Sequence, residues 1–505
     1  MTHVLAIDQS TSATKAALFD AAGQVVDKAS REHRQIHPHA GWVEHDAEEI
    51  WQNVLSTVRE LAERRGDMLS AAAGLSITNQ RETVVVFDRR TGRPLTNAIV
   101  WQCRRSDSLC SRLRDDGHEE LVRGKTGLRL DAYFSASKLL WLVRERPEIR
   151  EKLLSGEALI GTIDTYLIYR LTGGEVFATD PTNASRTLLY DVSKLRWDEE
   201  LCALFDVPLR ALAEVRESFA HFGATDVAGS LPRKLPICGV MGDSQASLFA
   251  QRCYEPGMAK ATFGSGTSIM LNVGNSCPAT VAGSVTALAW VRAGQPTYAY
   301  EGLINYSSAT ISWLQNQLGL IDDAADTERM AIEAGSHGGV YLVPAFAGLS
   351  APYWNPDVRA AIVNMSAHTR KEHIVRAALE SIAYQINDVL KMIHEDAGIA
   401  ARVLHADGGP TRNRFLMQFT ADIAAVQLVV ADVPESSALG AAMAGMWGLG
   451  VVSSLAGFVA IPRQTTIYQP SMDIDTASRL VDGWDRAVRR VTWSGVGSST
   501  RIYER

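Results

Sequence analysis

Short apolar runs separated by polar turns open the chain and predict a β-hairpin. Residues 4–7 form one apolar strand, residues 9–14 a polar turn, and residues 15–19 a second strand. Asp46 and Glu49 then have the spacing of a helix capping box ahead of an apolar helical face. Further strands are predicted at 73–78 and 84–88. The order of these elements predicts an α/β fold that begins with a hairpin.

The same order returns near the middle of the chain. A buried strand predicted at 235–240 leads to Asp243 and a helix at 244–251. A second hairpin follows, with strands at 258–262 and 269–273 joined by a turn of small residues. Two such hairpins, each near the start of a half-chain, predict a duplicated domain.

The length of the chain agrees with two domains. Its 505 residues exceed what one hydrophobic core usually holds, and 46% hydrophobic with 21% charged residues is an ordinary globular composition. We therefore predict one domain at 1–250 and a second at 251–505, with the active site in a cleft between them.

Composition and charge argue against several classes of function. The net charge is −7 and the arginines form dispersed pairs, which argues against a nucleic-acid partner. The N-terminus lacks the basic and apolar segments of a secretion signal. The uncharged stretch 436–462 is interrupted by five glycines, which favours a buried helix over a membrane span. The six cysteines have no metal-ligand spacing, so we expect free thiols in a reducing compartment. Together these features lead us to expect a cytoplasmic protein without membrane insertion.

The first turn carries groups suited to phosphate. Backbone N–H groups and the hydroxyls of Thr11 and Ser12 can surround phosphate oxygens, and Lys15 adds a positive charge. Asp8, at the exit of the first strand, can hold water on a Mg²⁺ ion, which prefers oxygen ligands. An ordinary polar hairpin explains the same residues, and taken alone the pattern favours that alternative.

The second half offers two further turns for a nucleotide. The sequence has no Gly-x-x-x-x-Gly-Lys-Ser/Thr motif, and the strand-turn-strand setting of Gly264, Ser265 and Gly266 argues against a dinucleotide-binding fingerprint. Between a later strand and helix, Gly409 permits close approach of a flat adenine, and Asn413 can bond its edge. A plain strand-to-helix turn explains that segment equally well.

Several ordered stretches resemble the FGGY family of carbohydrate kinases, and the resemblance runs from Asp8 to at least Asp422. The stretches are 41–46 (GWVEHD), 77–83 (ITNQRET), 97–105 (NAIVWQCRR), 133–141 (YFSASKLLW), 182–187 (TNASRT) and 360–380. Any one of them is weak evidence, but their number and order across both halves make a chance match negligible. The resemblance implies two duplicated actin-like, ribonuclease H-like ATPase domains and an ATP-dependent kinase that uses Mg²⁺.

The resemblance also implies roles for single residues. Arg81, Glu82, Trp101 and Tyr133 match the polyol pocket, and Asp243 matches the catalytic base that accepts a proton during in-line transfer of the γ-phosphoryl group. The other matching positions are Ser244 with Asp243 for the polyol, Asp8 and Asp243 for the metal, and Thr11, Ser12, Lys15, Gly264, Ser265, Gly266, Ser308, Gly409 and Asn413 for the nucleotide. Without the family, Arg81 and Glu82 are explained as a surface pair and Asp243 as a helix N-cap.

Some positions depart from the family pattern. Ser244 stands where glutamine is usual and Ser268 where phenylalanine is usual, which predicts a larger and more polar pocket. Asn364 replaces a usual glycine in the second signature. The departures at the phosphate positions are Ser10, Lys15, Ser308 and Ser312. Glycerol is the first expected substrate, with erythritol-like alditols or a ketopentose such as xylulose as alternatives.

One alternative belongs to a different class of function. An actin-like nucleotide sensor binds ATP without phosphorylating a small molecule. Such a sensor needs no polyol pocket beside a base, so Arg81 and Glu82 argue against it.

The resemblance also implies a homo-oligomer, a dimer or a tetramer.

Overall fold

The computed structural model describes residues 2–278, 285–433 and 435–493. The chain divides into two compact units, whose bounds are Met1–Met258, Met270–Glu301 and Asp432–Gln464 for unit 1, and Ala259–Ile269, Gly302–Ala431 and Thr465–Arg505 for unit 2. Both units contain helices and strands, which confirms the predicted two-domain α/β class. The predicted domain boundary stays a prediction.

The β-strands of the described residues fall in both units. They are β1 (His3–Gln9), β2 (Ala13–Asp20), β3 (Val25–Glu32), β4 (Glu44–His45), β5 (Gly74–Asn79), β6 (Val84–Asp88), β7 (Ala98–Ile99), β8 (Ala158–Thr162), β9 (Ala178–Thr179), β10 (Tyr190–Asp191), β11 (Arg196–Trp197), β12 (Glu214–Val215), β13 (His221–Thr225), β14 (Leu235–Gly242), β15 (Met258–Phe263), β16 (Thr267–Gly274), β17 (Val285–Arg292), β18 (Gln295–Ile304), β19 (Tyr341–Val343), β20 (Ala361–Val363), β21 (Val403–Asp407), β22 (Gln427–Ala431) and β23 (Thr465–Tyr468).

The α-helices are distributed in the same way. They are α1 (Ala47–Ser70), α2 (Asp107–Asp115), α3 (Glu119–Thr126), α4 (Ser135–Glu145), α5 (Pro147–Ser155), α6 (Ile163–Leu171), α7 (Pro181–Ala184), α8 (Glu199–Leu204), α9 (Asp243–Ala250), α10 (Ser308–Asn316), α11 (Asp326–Ala334), α12 (Lys371–Ala397), α13 (Arg414–Ala424), α14 (Ser436–Gly448), α15 (Leu455–Ala460) and α16 (Ile474–Thr492). Short 3₁₀ turns occur at Leu209–Ala211 and Gly409–Arg412.

Unit 1 is built around a six-stranded sheet with the order β13-β14-β5-β1-β2-β3. β1 and β2 form the predicted antiparallel hairpin, while β1, β5 and β14 run parallel. In this register Gln9, Asn79 and Gly242 lie level with one another. Because the carboxyl ends of parallel strands meet at one edge of a sheet, the residues that follow β1, β5 and β14 are brought together there.

Helix α1 covers this sheet and begins where the sequence predicts. The Asp46 side chain accepts hydrogen bonds from the backbone N–H groups of Glu48 and Glu49. The Glu49 carboxylate accepts from Arg34 instead of closing a reciprocal capping box. Apolar residues of α1 such as Trp51 join the buried core of unit 1.

Unit 2 has its own sheet and core. β21 runs parallel to β22, and β22 pairs with β23 in antiparallel. The rings of Tyr384 on α12 and Trp484 on α16 stack with centroids 5.3 Å apart inside a buried apolar cluster. The turn between β15 and β16 lies at the predicted position, residues 264–266.

The uncharged stretch 436–462 forms the buried helix α14 and the short helix α15. The glycines of α14 allow close backbone contact: a Cβ atom on Gly440 would collide with the carbonyl of Ala246, and one on Gly445 with the Ser76 hydroxyl. No helix among the described residues is long and apolar enough to cross a membrane. The cysteines are free, and Cys277 alone is exposed.

Candidate active site

The turn after β1 places a buried carboxylate beside a lysine. Asp8 is 5% exposed, and its Oδ1 atom has no hydrogen-bond partner within the described residues. Burial raises the pKa of Asp8 to about 7, although the charge of Lys15 opposes the rise. The nearby charges of Asp243 and Glu435 raise it further. A buried carboxylate oxygen without a partner is costly, and a hydrated divalent cation is a group that such an oxygen can bind.

Lys15 is held by a carboxylate that the sequence did not indicate. Its Nζ atom lies 2.6 Å from Oε2 of Glu435, and the Nζ atom of Lys28 lies 2.7 Å from Oε1 of the same carboxylate. Glu435 precedes α14 with a φ of 57°. Burial acts to lower the pKa of Lys15, but the hydrogen bond to Glu435 and the negative charges of Asp8 and Glu435 together outweigh burial and raise that pKa. Lys15 therefore keeps its charge and a fixed place beside the first turn.

Arg81 and Glu82 follow β5 and are 4% and 1% exposed, respectively. The Nε atom of Arg81 lies 3.2 Å from Oδ1 of Asp243. Glu82 has a left-handed backbone with a φ of 62°, which is uncommon for a residue with a side chain and often found at functional sites. Their burial argues against the alternative of a surface ion pair.

Two aromatic residues lie beside this charged pair. The ring centroids of Trp101 and Tyr133 are 5.4 Å apart at an angle of 60°. The Trp101 indole Nε1 donates a hydrogen bond to Oγ1 of Thr11 over 2.9 Å. Thr11 is half-buried and its neighbour Ser12 is exposed. The residues predicted for the polyol and for the first phosphate turn are thus in direct contact.

Asp243 begins α9 at the end of β14. Its side chain is 34% exposed, and Oδ1 accepts a hydrogen bond from the backbone N–H of Ser244 over 2.6 Å. The N-cap position of α9 is occupied by Gly242, not by Asp243. The helix-capping alternative for Asp243 therefore does not apply, and its carboxylate is accessible at the same sheet edge as Asp8 and Arg81.

The second predicted phosphate turn lies in unit 2. The Gly264 N–H donates to the carbonyl of Gly266 over 2.8 Å, and the Ser308 hydroxyl donates to the carbonyl of Gly264 over 2.7 Å. The Ser307 N–H donates to the carbonyl of Ser265 over 2.8 Å. The start of α10 thus fixes the turn, and a Cβ atom on Gly266 would collide with the Ile304 carbonyl.

The predicted adenine segment lies next to that turn. Gly408 contacts the backbone of Phe263, the residue that precedes Gly264. Gly409 opens the 3₁₀ turn that leads to Asn413. The Asn413 side-chain oxygen accepts from the Leu416 N–H over 2.9 Å, and its nitrogen donates to the Thr327 hydroxyl over 3.1 Å. Asn413 therefore already caps α13, and its contact with an adenine edge stays a prediction.

Several residues near these positions were missed from the sequence. Arg186 and Glu301 contact Glu82 and Arg81, and Lys138 holds the loop of Tyr133. Arg186 and Lys138 lie within stretches that match the family, and their charge in those stretches is a signal for a functional role. Glu301 and Glu435 have no such local signal.

One departure from the family pattern has a physical explanation. Asn364 has a φ of 64°, a left-handed conformation that glycine adopts freely and asparagine tolerates better than most residues. Its side-chain oxygen also accepts a hydrogen bond from Arg490. The substitution therefore preserves the backbone geometry.

Comparisons with known proteins agree over nearly the whole chain. Residues 3–250 match the N-terminal domain and residues 260–449 the C-terminal domain of the FGGY family of carbohydrate kinases. The chain is 45% identical to a glycerol kinase of Shewanella amazonensis, over 97% of this chain and 98% of that protein. It is 44% identical to glycerol kinase 1 of Thermotoga maritima, over 97% and 99%. A crystal structure of Plasmodium falciparum glycerol kinase with ADP superposes with a TM-score of 0.93 at 36% identity, over 98% and 99% of the two chains.

Proposed function

The chain belongs to the FGGY family of carbohydrate kinases, and we propose that it transfers the γ-phosphoryl group of ATP to a terminal hydroxyl of glycerol, giving glycerol 3-phosphate. The observation that carries the proposal is the meeting of Asp8, Arg81 and Asp243 at one edge of the unit 1 sheet. The named relatives support glycerol as the acceptor, since both are glycerol kinases and match over nearly their whole length.

Glycerol is recognised through a charged pair and an aromatic surface. The Arg81 guanidinium offers N–H donors and the Glu82 carboxylate offers acceptor oxygens, which together suit two adjacent hydroxyls. Trp101 and Tyr133 provide apolar surface for the carbon chain. Because Arg81 and Glu82 are buried, these polar contacts are shielded from competing water.

ATP and Mg²⁺ are the cofactors in this proposal. Asp8, with its unpartnered buried oxygen, and Asp243 suit a hydrated magnesium ion. Lys15 and the backbone N–H groups around Thr11 and Ser12 suit phosphate oxygens. The nucleotide roles of Gly264, Ser265, Gly266, Ser308, Gly409 and Asn413 remain predictions from the family pattern. When bound, Mg²⁺ neutralises charge on the phosphoryl oxygens.

In the proposed mechanism Asp243 accepts the proton of the attacking hydroxyl as the new oxygen–phosphorus bond forms. The γ-phosphoryl group leaves the β-phosphate in line with that attack, so ADP is released. In a loose transition state the hydroxyl loses its proton late, and an ordinary carboxylate is a sufficient base. Arg81 and Glu82 therefore contribute mainly by orienting glycerol, and Lys15 by stabilising negative charge.

A substrate panel tests the choice of glycerol. The catalytic efficiency kcat/KM with ATP is measured for glycerol, erythritol, a five-carbon alditol and xylulose. We expect glycerol to lead by about tenfold or more, the scale at which a pocket rejects an extra carbon and its hydroxyl. A longer alditol that exceeds glycerol by the same factor would instead support the enlarged pocket predicted from Ser244 and Ser268. Ser244→Gln, which restores the usual side chain, would then move the preference back toward glycerol.

A second measurement separates the kinase from a nucleotide sensor. ADP release by a kinase of this kind depends on added polyol, whereas a sensor hydrolyses ATP at the same rate without it.

We also infer a cytoplasmic enzyme from its use of ATP and its free cysteines, and a homo-oligomer from the family pattern. Size-exclusion chromatography with light scattering measures the oligomeric state.

A further inference from the structure

Two residues outside the predicted polyol set complete a row of alternating charges in unit 1. The row runs Glu82, Arg186, Glu301, Arg81 and Asp243. Glu82 Oε1 and Arg186 Nε are 2.6 Å apart, and Arg186 Nη2 lies 2.7 Å from Glu301 Oε2. Glu301 Oε1 lies 2.7 Å from Arg81 Nη2, whose Nε atom is 3.2 Å from Asp243 Oδ1. Each charged group in the row is therefore next to a group of opposite charge, and the row ends at Asp243, the proposed base.

The inner part of this row is withdrawn from solvent. The side chains of Arg186, Glu82 and Glu301 are at most 2% exposed, and that of Arg81 is 4% exposed. Buried charges are costly unless each is paired and hydrogen-bonded, and replacing them by apolar groups is often neutral or stabilising. Overall stability is thus a weak reason for the row, whereas a fixed geometry at the polyol site is a sufficient one.

Glu301 fixes the orientation of the Arg81 guanidinium. Besides Glu301 and Asp243, Arg81 donates from Nη1 to Oε1 of Gln245 at 3.4 Å. The aliphatic stem of Arg81 passes so close to Gly242 that a Cβ atom there would lie 2.7 Å from its Cγ and Cδ atoms. A planar guanidinium held at three of its nitrogens has one orientation in which to present its remaining N–H groups.

Arg186 fixes the position of the Glu82 carboxylate in the same way. It donates from Nε to the Glu82 carboxylate, while the Ser135 hydroxyl donates to the Glu82 carbonyl over 2.8 Å. Burial raises the pKa of Glu82, and the charges of Arg81 and Arg186 oppose that rise. Without Arg186 the carboxylate loses both a direct partner and part of the charge that keeps it ionised.

We propose that Arg186 and Glu301 are positioning residues of the polyol site, which hold Glu82 and Arg81 so that acceptor and donor reach adjacent hydroxyls of the substrate. This inference rests on the proposed function, because it names the groups that align the same site. Neither residue needs to touch the polyol. Arg186 acts through the Glu82 carboxylate that it orients, and Glu301 acts through the Arg81 guanidinium.

The test uses the conservative variants Glu301→Gln and Arg186→Lys in the full chain. KM for the polyol, kcat and the calorimetric Kd of the polyol without nucleotide are measured for each. We expect KM and Kd to rise together by about tenfold or more, because a loosened donor or acceptor weakens substrate binding before phosphoryl transfer.

A matched control separates positioning from a general cost of losing a buried pair. Glu380 on α12 is 1% exposed and lies 2.6 Å from Arg376, but it belongs to unit 2. Glu380→Gln is expected to change thermal stability while leaving the polyol Kd within about twofold. If Glu301→Gln does not fold, Glu301→Asp retains the charge with a shorter reach and is expected to raise Kd in the same direction.

The outcomes distinguish this inference from the proposed function. If the wild-type chain phosphorylates no polyol, the proposed function fails. If the wild-type chain is active but folded variants at Arg186 and Glu301 keep a Kd within about twofold of it, only the positioning roles are overturned.

Discussion

The indole of Trp101 donates a hydrogen bond to the hydroxyl of Thr11 over 2.9 Å, which ties the proposed glycerol surface to the first phosphate turn. Trp101→Phe keeps an aromatic ring but removes the N–H donor together with part of the indole surface. A neutral hydrogen bond contributes about 1 kcal/mol, so we expect kcat/KM to fall by at least about fivefold. Steady-state kinetics with glycerol and with ATP varied in turn measure the loss.

A double-mutant cycle with Thr11→Val assigns that loss to the hydrogen bond. Both single variants break the same hydrogen bond, so adding Thr11→Val to Trp101→Phe is expected to lower kcat/KM little further. Losses that multiply would show that the two residues act independently.

The carboxylate of Asp243 is the group whose removal should affect turnover most. Asp243→Asn preserves size and the position at the start of α9 but cannot accept the proton. A positioned base contributes about 10²- to 10⁴-fold, and we expect kcat to fall within that range. Asp67→Asn, at an exposed position of α1, is the control and should retain wild-type turnover. A folded Asp243→Asn variant with near-normal kcat would remove Asp243 from the mechanism.

Lys138 should give glycerol binding a dependence on pH. Burial lowers the pKa of Lys138 to about 8. Its ammonium donates to the carbonyls of Tyr133 over 2.6 Å and Phe134 over 3.2 Å, and also to that of Ala132. The protonated form therefore holds the Tyr133 loop below pH 8, and deprotonation above it weakens these charge-assisted bonds.

We accordingly expect KM for glycerol to rise as the pH passes through about 8, by roughly fivefold for the loss of about 1 kcal/mol. The other titratable groups acting on Lys138 are Glu82, Asp131, Cys103 and Cys110. Lys138→Met should have a raised KM already at neutral pH and no inflection. An unchanged inflection in that variant would assign the titration to another group.

Adjacent glycines in unit 2 provide a paired test of the predicted adenine segment. Gly408 has φ 101° and ψ 167°, a region almost restricted to glycine, and a Cβ atom there would collide with the Phe263 carbonyl. We expect Gly408→Ala to destabilise unit 2 by at least about 2 kcal/mol. Gly409 has open space around its Cβ position, so Gly409→Ala should stay within about 0.5 kcal/mol of wild type. Denaturant unfolding followed by fluorescence compares the two; equal losses would contradict the role assigned to the backbone of Gly408.

The sequence predicted the elements of the site better than its side-chain contacts. The strand that ends before Asp243 and the first hairpin are continuous apolar runs bounded by polar residues, so their positions follow from local pattern. The partners of Arg81 and Glu82 cannot be predicted from local pattern. Glu301 lies 220 positions from Arg81, and Arg186 lies 104 positions from Glu82. Two charged residues in succession are usually exposed, and only these distant partners make their burial possible.

Glu435 shows the same limit for the phosphate turn. Its carboxylate binds Lys15 from a position 420 residues away, and its own neighbours are uncharged. Local pattern indicated a free lysine beside phosphate. The folded chain instead places the negative charge of Glu435 beside Lys15, and this charge affects how strongly Lys15 attracts phosphate.

The glycines of α14 have a consequence for changing the substrate preference of this protein. Asp243 begins α9, and Gly440 of α14 packs against the backbone of that helix at Ala246 with no space for a side chain. Saturation mutagenesis should therefore find its least tolerant positions behind the carboxylate, at residues that contact no ligand. Libraries that spare α14 and vary the rim near Ser244 can explore new acceptors while retaining the support on which turnover depends.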